Sequence, residues 1–371
     1  MRIAMIGTRG VPARYGRFET CIEEVGKRLV ADGHEVTVFC RRGPDGPSPD
    51  PYLGMRTVTL PALRVRAGET LSHTALSALY LMVRERPDAA IVFNAANAPF
   101  LPLLRARGIP VATHVDGLEW RRGKLGRWGK TYYLRAERWA VRWSDALIAD
   151  AQGIADYYLE KFDARTRLLT YGAPRISARP EALEELGLSA RGYHLVVARF
   201  EPENHVAEIV EGYAASDASL PVVVVGDAPY AASYRARVRA AGDDRVRFLG
   251  SVWDQDLLDQ LYANCFVYWH GHSVGGTNPS LLRALGAGAA TCAYDVNFNR
   301  EVLRESGLYW TTPADVRELL EKSEVDRELT LARGRAAALE AARYDWDDTT
   351  RGYAKLCADL ACGREISPVT A

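Results

Sequence analysis

The chain has 371 residues, 48% apolar and 25% charged, which is too long for one ordinary core and suits two domains of roughly 150 to 200 residues. Its 47 basic and 47 acidic residues cancel, so no global field draws it to nucleic acid and any electrostatic partner must meet a local patch. MRIAMIGTRG lacks the apolar core of a signal peptide and no apolar run approaches about 18 residues, so the sequence predicts a cytoplasmic protein with neither a standard export signal nor a membrane span.

In chain order, RIAMIG, EVTVFC, MRTVTL, AAIVFN, PVATHV and DALIAD are short β-rich runs separated by helical patterns, the alternation of parallel strands with crossover helices. FETCIEEVGKRLVADG sets Cys21, Val25 and Leu29 on one helical stripe, and SALYLMVRERP reads as a second helix. The first strand runs into GTRGVPARYGRFE, where Gly7, Gly10 and Gly16 permit close approach of backbone to a ligand and a helix N-terminus follows. Neither a P-loop nor a dinucleotide fingerprint is present there, and a loop that is glycine-rich only in order to turn is the plain alternative. HVDGLEWRRGK places His114, Asp116 and Glu119 just past a strand, a grouping able to position or deprotonate an acceptor hydroxyl, or simply a hydrogen-bonded loop. From Arg121 to Arg142 eight Arg or Lys residues accompany one acid, Glu137, with Trp128 and Trp139 among them.

Periodicity breaks at YGAPRISARPEA, which marks the linker, and HLVVAR, PVVVVG, RVRFLG, CFVYWH and AATCAYD then supply a second set of strands. Arg199 closes the first of these and opens RFEPENH, where Glu203, Asn204 and His205 enter a helix; it can clamp a phosphate or pair with Glu201 or Glu203 on the surface. In HGHSVGGTNPSLLRALGAG, Gly275 and Gly276 precede the capping residues Thr277 and Asn278, and Pro279 suits the first helical position. His270 and His272 read as polar lining rather than metal ligands, since no Cys or carboxylate accompanies them. The acidic and basic segment from Arg317 to Arg335 reads as a solvated helix, and DWDDTTRGYAKLCADLA as a helix able to pack back on the first lobe. The six cysteines show no C-x-x-C spacing and read as free thiols of a reducing compartment.

GTRGVPARYG-FE, HVDGLEWRRGK, RFEPENH, VGDAPYA, FLGSVWD, HGHSVGGTNPSLL and YDVNFNREVL, in this order over about residues 1 to 310, resemble the retaining glycosyltransferases of family 4, and within them the bacterial rhamnosyltransferase-type branch. The resemblance implies an α/β protein of the GT-B fold, two Rossmann-like doubly wound domains facing a central cleft. Residues 1–172 would form the acceptor domain and 173–344 the donor domain, with a helix at about 345–371 returning to the first. It implies transfer of a sugar, rhamnose or another deoxyhexose, from a dTDP- or UDP-linked donor with retention, without a cofactor or an essential metal. The acceptor would be a saccharide or a lipid-linked one in cell-surface polysaccharide assembly.

Carried over by residue, Arg199 and the amides around Gly275, Gly276, Thr277, Asn278 and Ser280 would neutralise the leaving diphosphate. Val252 would touch the base through its backbone, Arg9, Gly10 and Gly16 would close over the diphosphate and sugar, and Asn204 belongs to the same donor set. His114 and Asp116, with Glu119 and Trp120, would face the acceptor. Three departures stand out. Arg17 replaces a second glycine, Asn204 stands where the wider family has Lys and this branch often Asn, and Arg283 replaces a ribose-holding Glu. The Glu expected eight residues before Arg283 is Gly275, so both acids of the E-x7-E pattern are missing, and Arg17 and Arg283 are candidates to compensate by charge at the diphosphate. The alternatives are a degenerate transferase that binds a nucleotide sugar or a partner without catalysis, and a tailoring transferase acting on a soluble natural product. The basic, tryptophan-bearing stretch at 121–142 suits peripheral contact with an inner membrane face, or a solvated helix over core tryptophans.

Overall fold

The structure, a computed structural model, describes residues 1–13, 16–43, 46–63, 68–115, 120, 126–228 and 231–364. The chain divides into two compact units, Met1–Tyr171 with Trp346–Ala371, and Gly172–Asp345.

The first unit is built on β1 (Arg2–Ile6), β2 (Glu35–Arg41), β3 (Arg56–Leu60), β4 (Ala89–Phe93), β5 (Val111–His114), β6 (Ala146–Ala149) and β7 (Arg167–Leu168), all parallel in the order β3-β2-β1-β4-β5-β6-β7. Strands β4, β5 and β6 are buried along their whole length. A parallel strand covered by helices on both faces reads as such a continuous apolar run. The crossovers are α1 (Arg17–Ala31), α2 (Gly68–Val83), α3 (Leu101–Ala106), α4 (Arg127–Trp143) and α5 (Gln152–Phe162). The stripe Cys21, Val25 and Leu29 of α1 is fully buried, as an apolar face repeating at three to four residues requires.

The second unit holds β8 (His194–Val197), β9 (Val222–Val225), β10 (Val246–Gly250), β11 (Val267–His270), β12 (Ala290–Tyr294) and β13 (Gly307–Trp310), parallel in the order β10-β9-β8-β11-β12-β13. Its helices are α6 (Val206–Ala214), α7 (Ala232–Ala240), α8 (Gln255–Asn264), α9 (Pro279–Gly286), α10 (Asn297–Leu303), α11 (Pro313–Val325) and α12 (Arg327–Glu340). The segment read as one solvated helix from Arg317 to Arg335 is therefore two. Asp326 breaks it and caps α12 by accepting the Leu329 amide, and both helices bury a face through Val316, Leu320 and Ala337.

The last helix, α13 (Trp346–Ala361), belongs to the first unit. Arg28 of α1 meets Asp347 at 2.7 Å, the Thr349 hydroxyl donates to the Thr170 carbonyl at 2.8 Å, and Arg167 reaches Asp359 at 3.5 Å. All six cysteines are free thiols, and only Cys362 is exposed. Among the described residues no helix is long and apolar enough to cross a membrane.

Candidate functional site

Each sheet has one place where the connections leaving two neighbouring strands run in opposite directions, and a doubly wound sheet binds its ligand at the carboxyl ends there. In the first unit this point lies between β1 and β4, in the second between β8 and β11.

At the first point the loop after β1 is held by acids of α1. The Arg9 amide donates to Glu19 Oε1 at 3.1 Å and the Ala13 amide to Glu23 Oε2 at 2.8 Å. Gly10 sits at φ 93° with its α-carbon against Cys40, where an added Cβ would lie 2.4 Å from the Cys40 sulfur, so only glycine fits. Gly16 is the residue before α1. Arg17 does not lie open to an anion: its Nη1 is 3.5 Å from Oδ2 of Asp150, the fully buried residue that follows β6. Burial pushes the Asp150 carboxyl up, while Arg17 and a hydrogen bond with Tyr171 pull it back.

His114, the last residue of β5, is fully buried in an aromatic stack: its ring is 5.5 Å from Phe93 and 6.2 Å from Tyr171, with Phe18 edge-on at 5.0 Å. Neither ring nitrogen meets a partner in good hydrogen-bond geometry. Burial, with the Arg17 charge adding to it, drives its pKa down to about 3. A neutral imidazole of such low basicity can hydrogen-bond and position a bound group but is a poor proton acceptor near neutral pH, which favours the positioning role over deprotonation of a hydroxyl. Asp116 and Glu119 lie outside the described residues. Trp120 is set beside α5 instead, with Lys161 Nζ 5.6 Å from its ring.

At the second point Arg199 follows β8. Its guanidinium is 45% exposed and pairs with Glu201 at 3.3 Å. Asn204 is buried and its amide donates to the Arg199 carbonyl at 2.8 Å, so it braces the loop rather than offering that donor to a ligand. The opposite wall approaches closely: a Cβ on Gly271 would lie 2.1 Å from the Asn204 carbonyl oxygen, and Ser273 donates its amide to the Glu203 carbonyl at 2.9 Å. His205, at φ 48°, shares a hydrogen bond with the Gly271 carbonyl at 2.8 Å and stacks on Tyr294 at 4.1 Å. Nothing in the sequence pattern singled out that stack or Asp150, although RFEPENH itself holds Glu201.

Helix α9 starts at this point. Asn278 is its N-cap and its side chain accepts the Ser280 amide at 2.9 Å, so that amide, expected to face a diphosphate, is already engaged. Gly275 takes φ 136° just before it, and Gly276 and Thr277 are buried. Val252 lies half-buried beyond the carboxyl end of β10. Arg283 is tied to α8, Nε to Asp259 at 2.9 Å and Nη2 to Gln255 at 2.9 Å. Both arginines that replace expected residues thus have acids of their own. His270 and His272 stack at 4.5 Å, and Tyr268 hydrogen-bonds His270 at 2.9 Å; the described residues contain no group of three or more His, Cys, Asp or Glu placed to hold a metal ion.

Two doubly wound domains with a ligand point at the carboxyl edge of each sheet define the GT-B architecture, and the chain belongs to the glycosyltransferases. Residues 18–174 match the glycosyl transferase 4-like domain and residues 179–328 the glycosyl transferases group 1 domain. No curated protein matches the sequence. Among solved structures, the chain is similar to sucrose-phosphate synthase from Thermosynechococcus elongatus, with a TM-score of 0.84 at 19% identity over 98% of this chain and 99% of that one. It is also similar to Anabaena HepE in complex with UDP-glucose, with a TM-score of 0.77 at 15% identity over 97% of this chain and 100% of that one. A trehalose-6-phosphate structure from E. coli bound with UDP-2-fluoro glucose gives a TM-score of 0.72 at 13% identity, each chain covered in full at 100%.

Proposed function

We propose that the protein transfers a sugar from a nucleoside diphosphate donor to a saccharide or lipid-linked acceptor, with retention and without a metal. The observation that carries this reading is that the switch point of the second sheet is flanked by an exposed Arg199, after β8, and by the capped N-terminus of α9, after β11. Among the described residues the Arg199 guanidinium pairs with Glu201 through Nη2, which leaves its other edge to take a diphosphate oxygen. The helix N-terminus adds partial positive charge where the leaving group develops its negative charge. UDP or UDP-sugar complexes of similar structures support a nucleotide donor. The sugar is rhamnose or a related deoxyhexose on UDP or dTDP, and the product belongs to surface polysaccharide or glycoconjugate assembly. In the first unit, His114 and the neighbouring loop bind the acceptor, while the donor phosphate accepts the proton of the attacking hydroxyl.

The test is a thermal-shift screen of nucleotide sugars in the presence of EDTA, followed by product analysis by NMR. A donor at about 100 times its dissociation constant adds about 2.7 kcal/mol to the folded state. Transfer with an axial-to-axial or equatorial-to-equatorial outcome supports the reading, and inversion or strict dependence on a divalent cation refutes that part of it.

A second reading, a non-catalytic binding protein, is favoured by one observation: position 275 is Gly, and position 283 is an Arg held by Asp259. Turnover of any donor removes it.

A further inference from the structure

Helix α4 turns its only acid inward and its cations outward. Glu137 is buried and meets Lys161 Nζ at 3.0 Å and the Tyr157 hydroxyl at 2.8 Å. Ala136 and Ala140 are buried beside it, and Trp139 stacks on Trp143 at 5.7 Å. At 100° per residue, Arg127, Lys130, Arg135, Arg138 and Arg142 fall within an arc of roughly 140° whose centre points away from Ala136 and Ala140. All five are exposed, and none forms an ion pair among the described residues. The next acid along the chain, Asp145, is paired with Arg105 at 3.5 Å. At the edge of the same face Trp128 is 90% exposed.

Single exposed arginines need no explanation, but five unpaired cations on one helix face with an uncovered indole do. We propose that this face of α4 docks on an anionic lipid surface, with the cations over the headgroups and Trp128 at the boundary with the acyl chains. A bilayer is a plane and asks for charge on one side only, which a protein of zero net charge can offer. A polynucleotide, wrapping further, would meet the acids that balance this stripe elsewhere. The indole, with an apolar body and one N–H, suits the lipid–water boundary and would contribute nothing to phosphate contacts alone. The helix, about 25 Å long, lies on the surface and does not cross it. The surface is independent of the transfer reading, because it concerns binding in the absence of any donor.

Co-sedimentation of the full chain with phosphatidylglycerol vesicles and with phosphatidylcholine vesicles tests it. Binding to the anionic vesicles alone, weakening steeply as salt is raised, is expected. Each cation contributes about fivefold to such binding, so Arg135→Gln, Arg138→Gln and Arg142→Gln together should weaken it about a hundredfold with an unchanged melting temperature. Trp128→Ala should weaken it further and abolish quenching of the protein's fluorescence by brominated lipid. Equal binding to both vesicle types, a salt-independent affinity, wild-type binding by the triple variant, or retention on duplex DNA without vesicle binding would each overturn the proposal. Should the triple variant fail to fold, the salt series on the unmodified chain and the Trp128→Ala quenching decide.

Discussion

Arg283 Nε lies 2.9 Å from Asp259 Oδ1, so the residue that replaces an expected ribose-holding acid is the cation of an ion pair between α9 and α8. Both side chains are less than a third exposed, at 23% and 28%, and burial pushes the Asp259 carboxyl up while Arg283 draws it down.

Restoring the family's acid without regard to that pair should be harmful. Arg283→Glu sets two carboxylates against each other and should cost about 1 to 3 kcal/mol in urea unfolding at neutral pH. Adding Asp259→Arg should recover most of the loss, giving a coupling of about 1 kcal/mol in a double-mutant cycle. Losses that simply add would show that the two side chains are independent.

Arg17 presents the same situation more deeply. Asp150 is fully buried, and Arg17→Gly would take away the Arg17 charge that draws its carboxyl down. Removing one partner of a buried pair costs about 3 to 5 kcal/mol. The sign of the pH dependence follows from the raised carboxyl: in the variant its folded pKa lies above the unfolded value, so the deficit is largest at neutral pH and shrinks as pH falls and Asp150 takes a proton. Arg17→Gly combined with Asp150→Asn should be much closer to the parent. Urea midpoints across pH for the three variants measure this, and a pH-independent deficit would count against a buried ionised Asp150.

The sheets were legible because each core strand is a short apolar run bounded by turn residues: RIAMI, AAIVF and VVVV carry burial on both faces and leave no ambiguity with a helix. Two edge strands were not legible. Arg167–Leu168 is only two residues long, and GLYW from Gly307 follows a 3-10 turn with no polar alternation to mark it. Motif positions reveal where Arg17 and Arg283 lie along the chain, but not what holds them. Asp150 is 133 residues from Arg17 and was read only as the end of a strand, while Asp259 is one unremarkable acid of an amphipathic helix. Partner choice at long sequence separation is a property of the packed chain, and no periodicity records it.

Four buried histidines contribute to the acid stability. Burial pulls His114 and His270 down to about 3, His73 to about 4, and His194 below its ordinary value against the upward pull of Glu324. Their folded values lie below the unfolded value of about 6.5, so the unfolded chain binds the extra protons. Stability is therefore full above about pH 6.5 and falls as pH drops from there toward about 4, by up to about 1.4 kcal/mol per pH unit for each histidine. His114→Phe should flatten that slope by one proton, since phenylalanine keeps the stack with Phe93 and Tyr171 and leaves no unpaired ring nitrogen. Urea unfolding of parent and variant over this range checks it; parallel slopes would mean that His114 does not stay neutral.

Arg199 should separate function from stability. Its side chain is 45% exposed and, among the described residues, its one ion pair is with Glu201, so Arg199→Ala should change the melting temperature little. If its free edge takes the leaving diphosphate, the same change should lower turnover about 100- to 1000-fold, the usual effect of removing one donor from a developing negative charge. Arg199→Lys keeps the charge but not the planar fork and should recover only part of the activity. Glu201→Gln releases the guanidinium from its partner while leaving it in place, and should impair turnover less than Arg199→Ala does. Steady-state kinetics with the donor found by thermal shift give the comparison, and an Arg199→Ala chain with the parent's kcat would move the diphosphate site away from this strand end.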